Sequence, residues 1–67
     1  MCKIEFKVGN AAFRMESEMD EFGNAPLDPW AVADAVRSVA DKIENGEMSG
    51  LIMDANGHKV GQFSVED

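Results

Sequence analysis

The sequence predicts an α+β domain of two layers, in which one helix packs on a three- or four-stranded antiparallel sheet. Three observations predict it. Residues Cys2 to Val8 alternate strictly between apolar and charged. A capped helix start at Asp28-Pro29 precedes an apolar stripe of helical spacing. Near the C-terminus, Asn56-Gly57 separates two apolar runs, a strong short-range hairpin signal. With 67 residues the chain is read as one domain, 1–67.

The first element is a half-buried strand. Cys2, Ile4, Phe6 and Val8 share one face, and Lys3, Glu5 and Lys7 the other, because side chains of a strand alternate in direction. Gly9-Asn10 ends it with a turn dipeptide. Ala11 to Met15 is expected to form a short return strand with Phe13 and Met15 inward. Glu16 to Ala25 follows neither period and reads as a loop, with Phe22 as its aromatic anchor.

The helix is expected over about 29–45. Asp28 is a good N-cap, since its carboxylate accepts bonds from unpaired backbone N–H groups. Pro29 falls on the first helical position, where its missing N–H costs nothing. Leu27 and Val32 have the spacing of a hydrophobic staple. Val32, Val36, Val39 and Ile43 recur at four, three and four, which makes one apolar stripe. Asn45-Gly46 supplies the stop. The stripe is expected to pack on Ile4, Phe6, Ile52 and Phe63.

Two short strands follow, Leu51–Met53 and Lys59–Val65. Two registers remain open. A two-residue loop pairs Met53 with Val60. A type I turn with a bulge at Gly57 pairs Ile52 with Val60 and keeps Ile52 inward.

Thirteen Asp and Glu against six Lys and Arg give a net charge of −7. Such a charge repels nucleic-acid phosphates, so direct nucleic-acid binding is not expected. It either keeps a small protein soluble or forms an acidic surface that docks on a basic one. Five of the acids, Glu16, Glu18, Asp20, Glu21 and Asp28, fall in one stretch with Arg14 the sole base nearby. Lone Cys2 allows no internal disulfide and points to a reducing compartment. No apolar run approaches the roughly 20 residues of a membrane helix. The N-terminus lacks a signal-peptide core, since charges alternate with apolar residues from the start. The expected location is the cytoplasm. Small cores seldom hold a domain unaided, so a homodimer is a natural expectation at this size.

Catalytic chemistry finds little material, and no enzyme is expected. His58 is the single imidazole and lies by the hairpin turn, where exposed polar residues are ordinary. A relay needs partners arranged around it. Asp54-x-Asn56-Gly57 matches the opening of a calcium loop, but the sixth and twelfth positions hold Lys59 and Val65 instead of Gly and Glu. Cys2 reads as a small buried hydrophobe in its strand. No cofactor or metal is expected.

The candidate residues are therefore those of a partner-binding surface: Glu16, Glu18, Asp20, Glu21, Trp30, Asp34, Arg37 and Asp41. Trp30 lies roughly opposite the apolar stripe, beside Asp34, Arg37 and Asp41. Trp and Arg are enriched at binding hot spots. Its indole either faces a partner or folds back over Phe22 or Leu27. Met15, Met19, Met48 and Met53 likewise serve either as an adaptable apolar surface or as core filler.

Three blocks carry a resemblance. They are Lys3-Ile4-Glu5-Phe6-Lys7-Val8-Gly9-Asn10-Ala11-Ala12-Phe13, then Val39-Ala40-Asp41-Lys42-Ile43-Glu44-Asn45-Gly46, then Ser49-Gly50 with Asp54-Ala55-Asn56-Gly57-His58-Lys59-Val60-Gly61. Together they cover about half the chain, and it resembles a group of small uncharacterised bacteriophage and prophage proteins. Arg14 to Pro26 lies outside the resemblance. The resemblance implies no activity, cofactor or catalytic residue. It implies a phage origin, and with it a protein that modulates a host protein with a basic surface. A defence system, of the CRISPR or restriction type, is one such target, including by DNA mimicry. The alternative is a structural or assembly role, as a homo-oligomer or accessory phage component.

Overall fold

In a computed structural model that describes all 67 residues, strands β1 (Cys2–Phe6), β2 (Ser49–Met53) and β3 (Lys59–Val65) form one antiparallel sheet, with helix α1 (Pro29–Glu44) packed on it. The strand order is β1-β3-β2. The expected α+β class and two-layer arrangement are present, with three strands.

Ala11 to Met15 is not a strand. Ala11–Phe13 is a single 3-10 turn, closed by Phe13 N–H to Asn10 O and Arg14 N–H to Ala11 O. Phe13 is buried all the same, and its ring lies 5.8 Å from that of Phe6. A turn points Phe13 inward as well as a strand would, so alternation alone misreads it. A second 3-10 turn covers Glu16–Glu18.

Helix α1 starts and stops where its signals lie. Asp28 Oδ1 accepts from Trp30 N at 3.0 Å. At the other end Gly46 takes φ 94°, and Gly46 N–H reaches Ile43 O while Glu47 N–H reaches Lys42 O. That pair of bonds satisfies two orphan carbonyls, and only glycine adopts that φ without strain. Its facing differs from the expected stripe. Ala35 and Val39 are buried, with Ala31, Val32 and Ile43 against them, whereas Val36 is 42% exposed. The small Ala31/Ala35 row lets α1 sit close to the 3-10 turn that carries Phe13. This turns Val36 outward.

The helix packs chiefly on β2 and the Phe13 turn. Ile4 shares the face of Phe63, its cross-strand partner, yet is 39% exposed. Cys2 is exposed too, not a buried hydrophobe. The core therefore reduces to Phe13, Ala35, Val39, Ile52 and Phe63, with Phe6, Val8 and Val60 at its margin.

The hairpin follows the second expected register only near its turn. Asp54 N–H donates to His58 O, Gly57 N–H to Asp54 O, and Gly57 has φ 83°. Met53 then pairs with Lys59, but Ile52 pairs with Gly61, so Val60 is a bulge and neither Ile52 nor Met53 pairs with it. Ile52 still points inward and Met53 outward. Gly61 permits this. A Cβ there would overlap the carbonyl of Glu5 and lie 2.5 Å from Phe6 Cα.

Candidate functional site

Residues 14–28 form an arm between the Phe13 turn and α1, and backbone bonds hold it at its base. Arg14 and Leu27 form an antiparallel bridge. Met15 N–H donates to Pro26 O, and Asp28 N–H to Phe13 O. The Arg14 guanidinium reaches inward, with Nε to Val8 O at 3.1 Å and a terminal nitrogen to Ala25 O at 3.4 Å. The sole base near the acidic run is thus taken up by backbone carbonyls. It forms no ion pair with the run.

At the tip, Asp20 shapes a turn. Its Oδ1 accepts from Phe22 N and Asn24 N, both at 2.9 Å, and Gly23 takes φ 81°. Glu16, Glu18, Asp20 and Glu21 are all exposed and without ion-pair partners. Phe22 is 80% exposed, so it does not anchor the loop. Met19 and Leu27 are exposed as well. Carboxylates and apolar groups therefore alternate along an arm whose backbone is pinned.

The second part of the candidate surface lies on α1. Trp30, Asp34, Arg37 and Asp41 follow spacings of four, three and four, hence one outward stripe, and all four are exposed. Trp30 is 73% exposed, so its indole does not fold back over Phe22 or Leu27 to cap the core. Arg37 pairs with Asp34 at 3.0 Å, an exposed i,i+3 pair. Arm and stripe meet at Asp28, which caps the helix through Trp30 N and whose carbonyl accepts from Val32 N. No other hydrogen bond joins them. Of the methionines, Met15 is half-buried, while Met19, Met48 and Met53 are surface residues.

Sequence reasoning weighed Asp54 only as the opening of a failed calcium-loop match at the hairpin turn. It is the one buried charged residue. Its carboxylate accepts from His58 N at 2.8 Å, Asn56 N at 2.9 Å and Asn10 Nδ2 at 2.5 Å. The His58 N–H bond is the main cause that holds its pKa below the ordinary carboxylate value, with Asn56, the His58 ring and Asn10 adding to it and burial opposing. Asp54 ties the hairpin turn to the Phe13 turn, and its role is structural. His58 lies 3.6 Å from it through Nδ1 and is otherwise exposed.

No three His, Cys, Asp or Glu side chains are grouped so as to hold a metal ion. The largest cleft, ≈ 650 Å³, is lined by Lys7, Gly9, Asn10, Lys59, Val60 and Gly61. It offers two ammonium groups but no acid–base pair. No helix is long and apolar enough to cross a membrane. Compared with known proteins, the chain matches no family model, no curated protein and no solved structure.

Proposed function

We propose that this chain is a binding protein that docks its acidic arm on a basic surface of a host protein and so modulates that protein. One observation carries the reading: Glu16, Glu18, Asp20 and Glu21 stand unpaired on a pinned arm, interleaved with exposed Met19 and Phe22. Unpaired charges steer encounter and set specificity. Large exposed aromatic groups supply the desolvated centre that holds a complex together. Trp30, at the junction of arm and helix, is the natural anchor, with Asp34, Arg37 and Asp41 forming the rim.

The phage resemblance supports a host protein as the target, with a defence nuclease or its regulator as one class. Exposed aromatics favour contact with a protein surface that is basic and apolar together. A phosphate mimic, which would fill a nucleic-acid groove, has no use for Phe22 and Trp30. The test is comparative capture from host lysate, with the wild type, a Glu16→Gln, Glu18→Gln, Asp20→Asn, Glu21→Gln variant, and Trp30→Ala. Asn at position 20 keeps the side-chain oxygen that builds the turn. The wild type should retain a protein that both variants lose. Identical retention by all three would exclude the arm as the contact.

A further inference from the structure

The two edges of the sheet are treated differently. Val65 N–H donates to Met48 O, so by the two-residue alternation Ser49, Leu51 and Met53 point their backbone groups to the β2 edge. That edge is guarded, because Lys42 Nζ, reaching over from α1, donates to Leu51 O at 3.0 Å. On β1, Glu66 N–H donates to Met1 O and Lys7 N–H to Val60 O. Residues 1, 3, 5 and 7 therefore bond to β3. Cys2, Ile4 and Phe6 present their N–H and C=O groups to an edge with no bulge, no proline and no side-chain cap. Native sheets usually blunt such an edge, and the devices here are only the five-residue length of β1 and its charged Lys3 and Glu5.

We infer that the open β1 edge is a self-association surface, on which a second copy of this chain adds its own β1 antiparallel across a twofold axis at Ile4. Charge selects both the occupant and the register. With Ile4 opposite Ile4, Cys2 faces Phe6 and these pairs exchange the free backbone bonds. Lys3 of each copy then lies opposite Glu5 of the other, at the closer non-hydrogen-bonded spacing where side chains interact most. A shift of two residues either way sets Lys3 against Lys3, or Glu5 against Glu5. The same pairing extends the exposed apolar face of Cys2 and Ile4, which α1 leaves uncovered, across the junction.

One whole-molecule fact agrees. The chain carries −7, which opposes self-association over most of its surface, yet within β1 the charge of Lys3 offsets that of Glu5, and Lys7 just beyond adds a positive charge. The β1 edge is separate from the arm, and the inference stands independently of the proposed partner.

Sedimentation equilibrium on the wild type, Lys3→Glu, Glu5→Lys and the double Lys3→Glu/Glu5→Lys variant tests it, with circular dichroism to check that each folds. The wild type should dimerise. Each single change should raise the dissociation constant by about tenfold or more, because like charges then face each other twice per dimer. The double swap should restore it. A Cys2→Ser/Ile4→Cys variant reports independently of charge. Twofold pairing places the Cα atoms of position 4 in the two copies about 5.5 Å apart, within disulfide reach, so mild oxidation of this variant should yield a covalent dimer. A monomeric wild type, single variants that dimerise as tightly as the wild type, an unrestored double variant, or a Cys2→Ser/Ile4→Cys variant that stays monomeric on oxidation would each overturn the inference.

Discussion

Two single positions constrain this molecule most. Asp54 is buried and receives two backbone N–H groups and the Asn10 amide, so its carboxylate is favoured in the ionised form. A folded pKa below the unfolded value means that its contribution is fully present above the ordinary value of 3.8 and is lost as pH falls through the folded pKa. Urea midpoints followed downward through that range should therefore fall more steeply for the wild type than for Asp54→Asn. The variant should be the less stable of the two at neutral pH. Gly61 is the other position. β1 passes so close that no Cβ fits, and the atoms it would meet are mostly backbone, which cannot swing aside. Gly61→Ala should cost about 3 kcal/mol or more, at the severe end of overpacking, read as a lowered urea midpoint. Neither role follows from the sequence by itself. Asp54 reads as turn chemistry until Asn10, remote in sequence, is placed beside it, and the constraint on Gly61 comes from β1, likewise remote in sequence.

Among the elements, α1 was the most legible, because its signals are local. Asp28, Pro29 and Gly46 act within a few residues of themselves, and the helix ends within a residue of where they place it. Asp28→Ala should cost about 0.5–2 kcal/mol through the lost cap, and chemical denaturation would measure it. The facing of α1 was less legible. The Val32/Val36 row and the Ala31/Ala35 row are adjacent on the wheel, and composition favours the valines. The Phe13 turn decides for the alanines, since they allow closer approach. Val36→Asp should therefore shift stability by about 0.5 kcal/mol or less. Val39→Asp should cost on the order of several kcal/mol, as an unpaired buried charge. Equal losses at both positions in thermal melts would contradict this facing. The bulge at Val60 and the 3-10 turn at Ala11–Phe13 were hidden for a related reason. Each preserves the inward direction of the side chain that matters, Ile52 or Phe13, while changing the backbone path. The exposed arm residues were legible by type and charge. Whether Trp30 belonged to core or surface was not, because first-turn helical residues can face either way.

The whole molecule is thin, with extents of 47 × 18 × 16 Å and five buried apolar residues in its core. A body of this shape that carries −7 repels itself. Added salt should raise its thermal midpoint by screening that repulsion. The same salt should weaken contact between the arm and a basic partner, so fold and binding respond with opposite signs. A variant that merely loosened the fold would not reproduce that opposition. Arm and helix separate two kinetic effects. Trp30→Ala should speed dissociation, because an apolar anchor acts after encounter. Neutralising Glu16, Glu18, Asp20 and Glu21 should instead slow association, since charge acts before encounter. The most direct measurement is the association rate of the captured host protein with the wild type and with the variant that neutralises those four acids, by surface plasmon resonance at low and at high salt. The account predicts that the variant associates about tenfold or more slowly at low salt and that the two rates converge as salt rises. Equal association rates at low salt would contradict it, and the acidic run would then be a solvated surface with no part in recognition.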